Sequence, residues 1–335
     1  MASTSKRNKY FDNAKFILIF LVVFGHMISP LKNSDGILFT LYTFIYLFHM
    51  PAFILISGYF AKGYRKKGNF LKSIKKILVP YILFQVLYSV YYYLSGQESS
   101  FHANVLEPHW SLWFLLSLFF WNSLLYLFAR LKWFGVILAV AVGIAVGYID
   151  SIGSFLSLSR TFVFFPYFLI GFMINSHQLK RMIQNKFSFS FGLIVMVATI
   201  TFFRLGFPND AIHWLLGDRS YAAMGAEQII GGWYRCLQYI GTLLVIFGFL
   251  TCIPTIHFKL TKIGERTLYI YLFHGFIIIS LHNLLPSKSL LTISDNYFLL
   301  IGISFVITVF LGSYLVKRFT KPIVEPRITV SHREG

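Results

Sequence analysis

Residues Ile37–Phe60 read ILFTLYTFIYLFHMPAFILISGYF: 24 residues without one Asp, Glu, Lys or Arg, and with a single histidine, His49. A helix rises about 1.5 Å per residue, so this run is long enough to cross a hydrocarbon core of about 30 Å. A membrane strand would need only about ten residues of alternating character, and the apolar residues here do not alternate. The stretch is therefore expected to be a transmembrane helix. Working outward from it, similar runs recur at Lys15–Ser29, Ile77–Leu94, Ser111–Phe128, Phe134–Ile149, Thr161–Asn175, Phe187–Phe203, Ile229–Ile253, Thr267–Leu285 and Tyr297–Val316. The expected fold is an all-α polytopic membrane helix bundle of about ten transmembrane helices.

Composition agrees. The 335 residues are 56% hydrophobic, and a mean hydropathy of +0.67 is too apolar for a soluble domain with a polar surface. The first run is too rich in polar groups, and lacks the small-x-small site after Pro30, to be a secretory signal. Two cysteines, Cys236 and Cys252, support neither a disulfide framework nor a cysteine zinc site. The net charge of +18 would suggest nucleic acid in a soluble protein, but the basic residues are scattered between apolar runs rather than gathered in a domain.

That scatter has an order. With the N-terminus inside, 24 of the 30 Lys and Arg residues fall on one side of the ladder, leaving Lys32, Arg160, Arg204, Arg219, Arg235 and Lys288. Cytoplasmic loops carry such an excess. Both termini are expected in the cytoplasm: a segment over 1–14, a membrane-embedded region over 15–316, and a basic tail over 317–335. The outer loops are too short for an appended catalytic domain, so any chemistry must sit in the bundle.

Ionisable groups inside a membrane are costly and point to function. Lys15 and His26 are eleven residues apart, so they share one helix face with about 16 Å between them in depth. Lys15 either meets a phosphate-bearing substrate at the membrane edge or is a snorkelling interfacial lysine. His26 either takes a proton from a hydroxyl or is an imidazole satisfied by a backbone carbonyl. Pro51 frees a carbonyl one turn earlier, so His49 either lines a cavity there or satisfies that kink. His274 lies in the ninth run; Arg235, early in the eighth, needs an anion or carbonyl partner; His109 and Arg160 mark outer ends of runs. No phosphate-binding glycine loop, dinucleotide motif, His-Glu-x-x-His or Gly-x-Ser-x-Gly is present. No metal and no permanently bound cofactor are expected.

In order along the chain stand Tyr10-Phe11-Asp12-Asn13-Ala14-Lys15 running to Gly25-His26, Phe48-His49-Met50-Pro51, Ile56-Ser57-Gly58-Tyr59-Phe60 and Lys75-Lys76-Ile77-Leu78-Val79-Pro80-Tyr81. After them come Trp110-Ser111-Leu112-Trp113-Phe114, Arg160-Thr161 to Phe165-Pro166-Tyr167-Phe168, Gly171, and Ile263-Gly264 to Tyr271-Leu272-Phe273-His274. With these stretches the chain resembles the acyltransferase 3 family of integral membrane acyltransferases, and within it the fucose 4-O-acetylase-like branch. The resemblance covers nearly the whole chain. Its most specific element, an Arg or Lys followed after ten residues by His, is filled by Lys15 and His26. It implies transfer of an acyl group, usually acetyl from acetyl-CoA, to a hydroxyl of a carbohydrate acceptor. Many members carry an arginine pair ahead of the Pro-Tyr of the third run. Here that stretch holds Lys72, Lys75 and Lys76, which bind phosphate without arginine's bidentate fork.

The resulting expectation is a stand-alone, multi-pass O-acyltransferase of the cell membrane, taken to be a bacterial plasma membrane. Lys15, Lys72, Lys75 and Lys76 bind the acyl-CoA phosphates, and His26 with Lys15 forms the catalytic pair. His49, His109, Trp113, Arg160, Arg235 and His274 contact the acceptor, aromatic rings being good sugar platforms. Membrane lipid is a further partner and nucleic acid is not. The rival is a transporter of a lipid-linked sugar or small anion, but the paired repeats common in transporters are not evident. A membrane sensor is a weaker third reading.

Overall fold

The computed structural model describes residues 8–63, 74–101, 104–153, 155–226, 228–285 and 296–326. Among them there are helices and connecting loops and no strand. Helices α1 (Lys9–Ile28) and α2 (Gly36–Phe60) begin on side-chain caps: Asn8 accepts from the Tyr10 amide and Asp35 from that of Ile37. These caps satisfy amides that no helical turn can reach. The chain continues through α3 (Val79–Leu94), α4 (Trp113–Phe128), α5 (Lys132–Ala145), α6 (Leu158–Met173) and the short amphipathic α7 (Ser176–Gln184). It closes with α8 (Lys186–Gly206), α9 (Ile212–Leu216), α10 (Gln228–Cys252), α11 (Thr267–Leu284), α12 (Tyr297–Leu311) and α13 (Tyr314–Val324).

Eight described helical stretches are long and apolar enough to cross a membrane, and α12 with α13, bent by 63°, makes a ninth. One of the eight, Trp110–Tyr148, has 39 residues, which as one rod would be about 58 Å long, far beyond a bilayer core. It is a hairpin. The backbone turns at Lys132 with φ of 51°, and a Cβ on Gly135 would lie 2.6 Å from the Phe128 carbonyl oxygen, seven residues back. Counting its two arms separately gives ten crossings, the number expected. The last one ends earlier than the run Tyr297–Val316, because Ser313 caps a new helix by accepting from the Val316 amide. The new helix carries Lys317, Arg318 and Lys321. At the other end α1 starts at Lys9, six residues ahead of the expected run, and Tyr10–Ala14 are buried.

Contacts between chain-distant ends reproduce the alternation read from charge. On one face, called inner here, Asn13 donates to the carbonyls of Pro254 and Ile256, and Arg266 to that of Gly312. Lys62 of the same face donates to the Ile174 carbonyl. On the other, outer face, His282 lies 3.3 Å from the Met27 carbonyl and the Tyr221 amide donates to Gly147. There the Tyr297 hydroxyl donates to Asp35 at 2.6 Å, which, with the Ile37 amide, holds that carboxyl below its usual range. The tightest crossing is α2 on α6. A Cβ on Gly58 would overlap the Phe168 carbonyl, and one on Gly171 that of Leu55. Such close backbone approach is how small residues join helices in lipid.

One outer loop does not stay at the end of the bundle. Three residues of one α3 stripe, Tyr81, Gln85 and Ser89, pin residues 104–109: Tyr81 donates to the Val105 carbonyl and Gln85 to those of Asn104 and Glu107. Ser89 lies 2.8 Å from His109 Nε2. The stripe spans about 12 Å of helix, so the loop is drawn down along the flank of α3, with residues 104–107 exposed and 108–110 half-buried. Irregular backbone is tolerated at such depth only when protein groups satisfy it.

Candidate active site

Two cavities lie end to end along α1. The inner one, about 240 Å³, is lined by Lys15, Ile19, Val22, Met50, Phe60 and Tyr271 among others. The outer one, about 200 Å³, is lined by Val22, His26, Ser29, Met50, Arg160 and Tyr271 among others. Val22, Met50 and Tyr271 belong to both and form the partition between them. On α1 the lining residues Lys15, Ile19, Val22, His26 and Ser29 fall at steps of four, three, four and three, which is one helical stripe. The expected common face of Lys15 and His26 is thus the stripe of α1 that lines both cavities.

In the inner cavity Lys15 is paired with Asp12, Nζ to Oδ1 2.7 Å, and sits 5.9 Å from the Phe60 ring centre. Asp12 is itself buried, against a loop whose Gly264 leaves no room for a side chain beside the Asp12 carbonyl. Of the other lysines expected to meet phosphate, Lys75 and Lys76 open the helical turn before α3. Lys72 lies outside the described residues.

The outer cavity gathers His26, His49, Trp113 and Arg160, drawn from four different helices. The His26 ring is 4.2 Å from Trp110 and 5.3 Å from His274, and its Nδ1 lies 3.2 Å from the Tyr46 hydroxyl. Trp110 is carried there by the inserted loop, with φ of 41°, a conformation costly for a bulky residue and found mostly at functional positions.

Two tautomers follow from chemistry alone. Nδ1 of His49 is 2.7 Å from the Ile45 carbonyl, and Nδ1 of His274 is 2.7 Å from that of Tyr271. A carbonyl only accepts, so in the neutral ring each Nδ1 carries the proton and each Nε2 is a bare lone pair. For His274 that lone pair is buried without a partner. His49 does not serve the kink at Pro51. The Leu47 carbonyl that Pro51 leaves free faces the Thr242 hydroxyl at 3.4 Å instead.

Arg160 stacks over Trp113 at 5.2 Å, donates to Asp218 at 3.2 Å and reaches the Leu216 carbonyl at 3.3 Å. Asp218 also pairs with His213 at 3.1 Å. Two expected site residues are elsewhere. His109 is tied to Ser89 behind Trp110, outside the cavity wall. Arg235 is a buried clamp on the Trp214 carbonyl, 2.9 Å, and on Gln238, 2.5 Å. Its place is fixed by the need of a guanidinium in hydrocarbon for carbonyl partners.

Four neighbours of the site had drawn no role in the sequence: Asp12, Tyr46, Trp110 and Asp218. Tyr46 is three residues before His49, a helical step that was available as a signal. Asp218 stands 58 residues from Arg160, and nothing local links them.

Comparison with known proteins agrees with this arrangement. The acyltransferase domain of the acyltransferase 3 family matches residues 8–318. Nodulation protein NolL of Sinorhizobium fredii is 26% identical over 310 residues, covering 82% of this chain and 79% of its own. Nodulation protein NolL of Mesorhizobium japonicum is 24% identical over 296 residues, covering 82% of this chain and 77% of its own. No solved structure matches. A match along nearly the whole chain, over a multi-pass helical bundle, shows that this protein is a membrane O-acyltransferase and belongs to the acyltransferase 3 family.

Proposed function

We propose that the protein moves an acetyl group from cytoplasmic acetyl-CoA to a hydroxyl of a carbohydrate on the other side of a bacterial plasma membrane. The observation that carries this reading is the pair of cavities meeting at Val22, Met50 and Tyr271. Lys15, with Lys72, Lys75 and Lys76, holds the CoA phosphates at the inner face, and the thioester reaches the partition. The acceptor enters the outer cavity, where Trp113 offers a sugar platform and Arg160 with Asp218 offers a donor and an acceptor for hydroxyls. His26 is the general base. With Nδ1–H donated to the Tyr46 oxygen, its Nε2 is free to take the hydroxyl proton. The hydroxyl oxygen then bonds to the thioester carbon, the carbon–sulfur bond breaks, and the proton leaves on the CoA thiol. His274 presents its lone pair beside the imidazolium formed on the way.

Family membership decides against the carrier considered from the sequence. The test is release of free CoA from acetyl-CoA by purified protein given a carbohydrate acceptor, with the acetyl ester found on the acceptor. His26→Ala should abolish both while leaving expression and membrane insertion intact. Near-normal turnover in that variant removes His26 from the chemistry.

A further inference from the structure

A cavity larger than either of these two lies outside the reaction path. A groove of about 780 Å³, more than three times the outer cavity, runs between α8, α10 and the segment around α9. Ala198, Phe202, Phe207, Tyr234, Leu237 and Gly241 are among its lining residues. Phe202 and Leu237 are about 60% exposed, at 62% and 61%, on the flank of helices that span the bilayer. A groove open to lipid takes hydrocarbon.

Two further observations say which hydrocarbon. The groove and the outer cavity share Leu215. Its neighbour Trp214 lines the groove and Leu216 lines the cavity, so the short helix α9 is the wall between them. Directly behind that wall, bonded to the Trp214 carbonyl but in the lining of neither, stands Arg235, 1% exposed. Its Nη1 is held by Trp214 and Gln238, both groove residues, and its plane lies over the rings of Trp214, at 5.3 Å, and Tyr221, at 6.0 Å, while Nε and Nη2 have no partner in hydrogen-bond geometry. A buried guanidinium with idle donors is costly and is relieved by an anion. Arg160 reaches the Leu216 carbonyl from the cavity side, so the two guanidiniums flank one segment.

We propose that the groove holds the tail of a lipid-phosphate-linked acceptor, its phosphate at Arg235 and its sugar passing over α9 into the outer cavity. The acceptor then reaches His26 from within the membrane. This rests on the outer cavity being the acceptor site.

The test uses the full chain in phosphatidylcholine nanodiscs with a diazirine-tagged farnesyl phosphate and, in parallel, the corresponding farnesol. The phosphate probe should label residues 195–214 and 234–244. A Cβ on Gly241 meets no atom within 4 Å, so Gly241→Phe fills the groove without displacing a helix and should cut labelling at least fivefold. Arg235→Gln should cut labelling by the phosphate at least threefold and leave labelling by farnesol unchanged. Thermal melting confirms that both variants are folded, and Gly241→Phe carries the test alone if Arg235→Gln is not. Labelling as dense over the rest of the lipid-facing surface, the mark of bulk lipid, overturns the proposal, as does labelling unchanged in Gly241→Phe. Labelling needs no turnover: protein that transfers acetyl but is not labelled in the groove loses only the groove, and protein that is labelled but releases no CoA loses only the reaction.

Discussion

Replacing Tyr46 by Phe removes one oxygen, the one 3.2 Å from His26 Nδ1, and keeps the ring that packs 4.9 Å from His49. Before reaction the lost bond joins two neutral groups and contributes about 1 kcal/mol. When His26 takes up the hydroxyl proton the same bond acquires a charged donor, worth about 1.5–3 kcal/mol. Only the difference, about 0.5–2 kcal/mol, raises the barrier, so at about 1.36 kcal/mol per tenfold the acyl-transfer rate should fall between roughly twofold and thirtyfold. The Michaelis constant for acetyl-CoA should not move, because the donor's charged end is bound beyond the partition, at Lys15. The assay is thiol release from acetyl-CoA under saturating donor, read as kcat and KM separately, with monodispersity and melting temperature as controls. A rate equal to that of the parent protein would mean that Tyr46 does not orient His26. An equal loss through KM for acetyl-CoA would mean that the two cavities are not separate sites.

Lys15→Ala should raise the KM for acetyl-CoA about tenfold, the lower end for a charged hydrogen bond because Asp12 already shares this ammonium, whereas Lys15→Arg should stay near the parent value. Unchanged donor affinity in the alanine variant would return Lys15 to an interfacial role. Gly58→Ala should lower the melting temperature in detergent, since its Cβ overlaps the Phe168 backbone and α2 and α6 must part. A variant as stable as the parent would show that this crossing is loose. With Cys236 and Cys252 replaced, a cysteine at exposed Ala222 should react with an impermeant thiol reagent on intact cells, and one at exposed Ser176 only after permeabilisation. The reverse pattern would turn the bundle over and take the donor site out of the cytoplasm.

What the sequence made legible is what the bilayer enforces. A run without charge such as Ile37–Phe60 has one low-energy arrangement in hydrocarbon, so the crossings and their phases were readable, and with them the stripe from Lys15 to His26. The inserted loop was not readable. Residues 104–109 include Asn104, Glu107 and Pro108 and look like any polar connection; their depth is set by Tyr81, Gln85 and Ser89, a polar stripe that gains meaning only beside the loop it binds. Arg235 was only half readable, for a related reason. A buried cation announces that it needs a partner, but not whether that partner is a substrate or the Trp214 carbonyl of its own chain.

The partition between the cavities has an electrical consequence. A membrane at 100 mV puts about 2.3 kcal/mol on each unit charge that crosses it, and water entering the two cavities brings the ends of that drop toward each other, with Val22, Met50 and Tyr271 between them. With water on both sides the voltage falls across those side chains rather than through the full thickness of the bilayer. Only a neutral acyl group can pass there without doing electrical work, and the unbranched thioether of Met50 can yield to it and close again. Insulation and acyl passage thus rest on the same three residues. Trimming any of them to widen the path for a bulkier acyl group would also open a leak for protons.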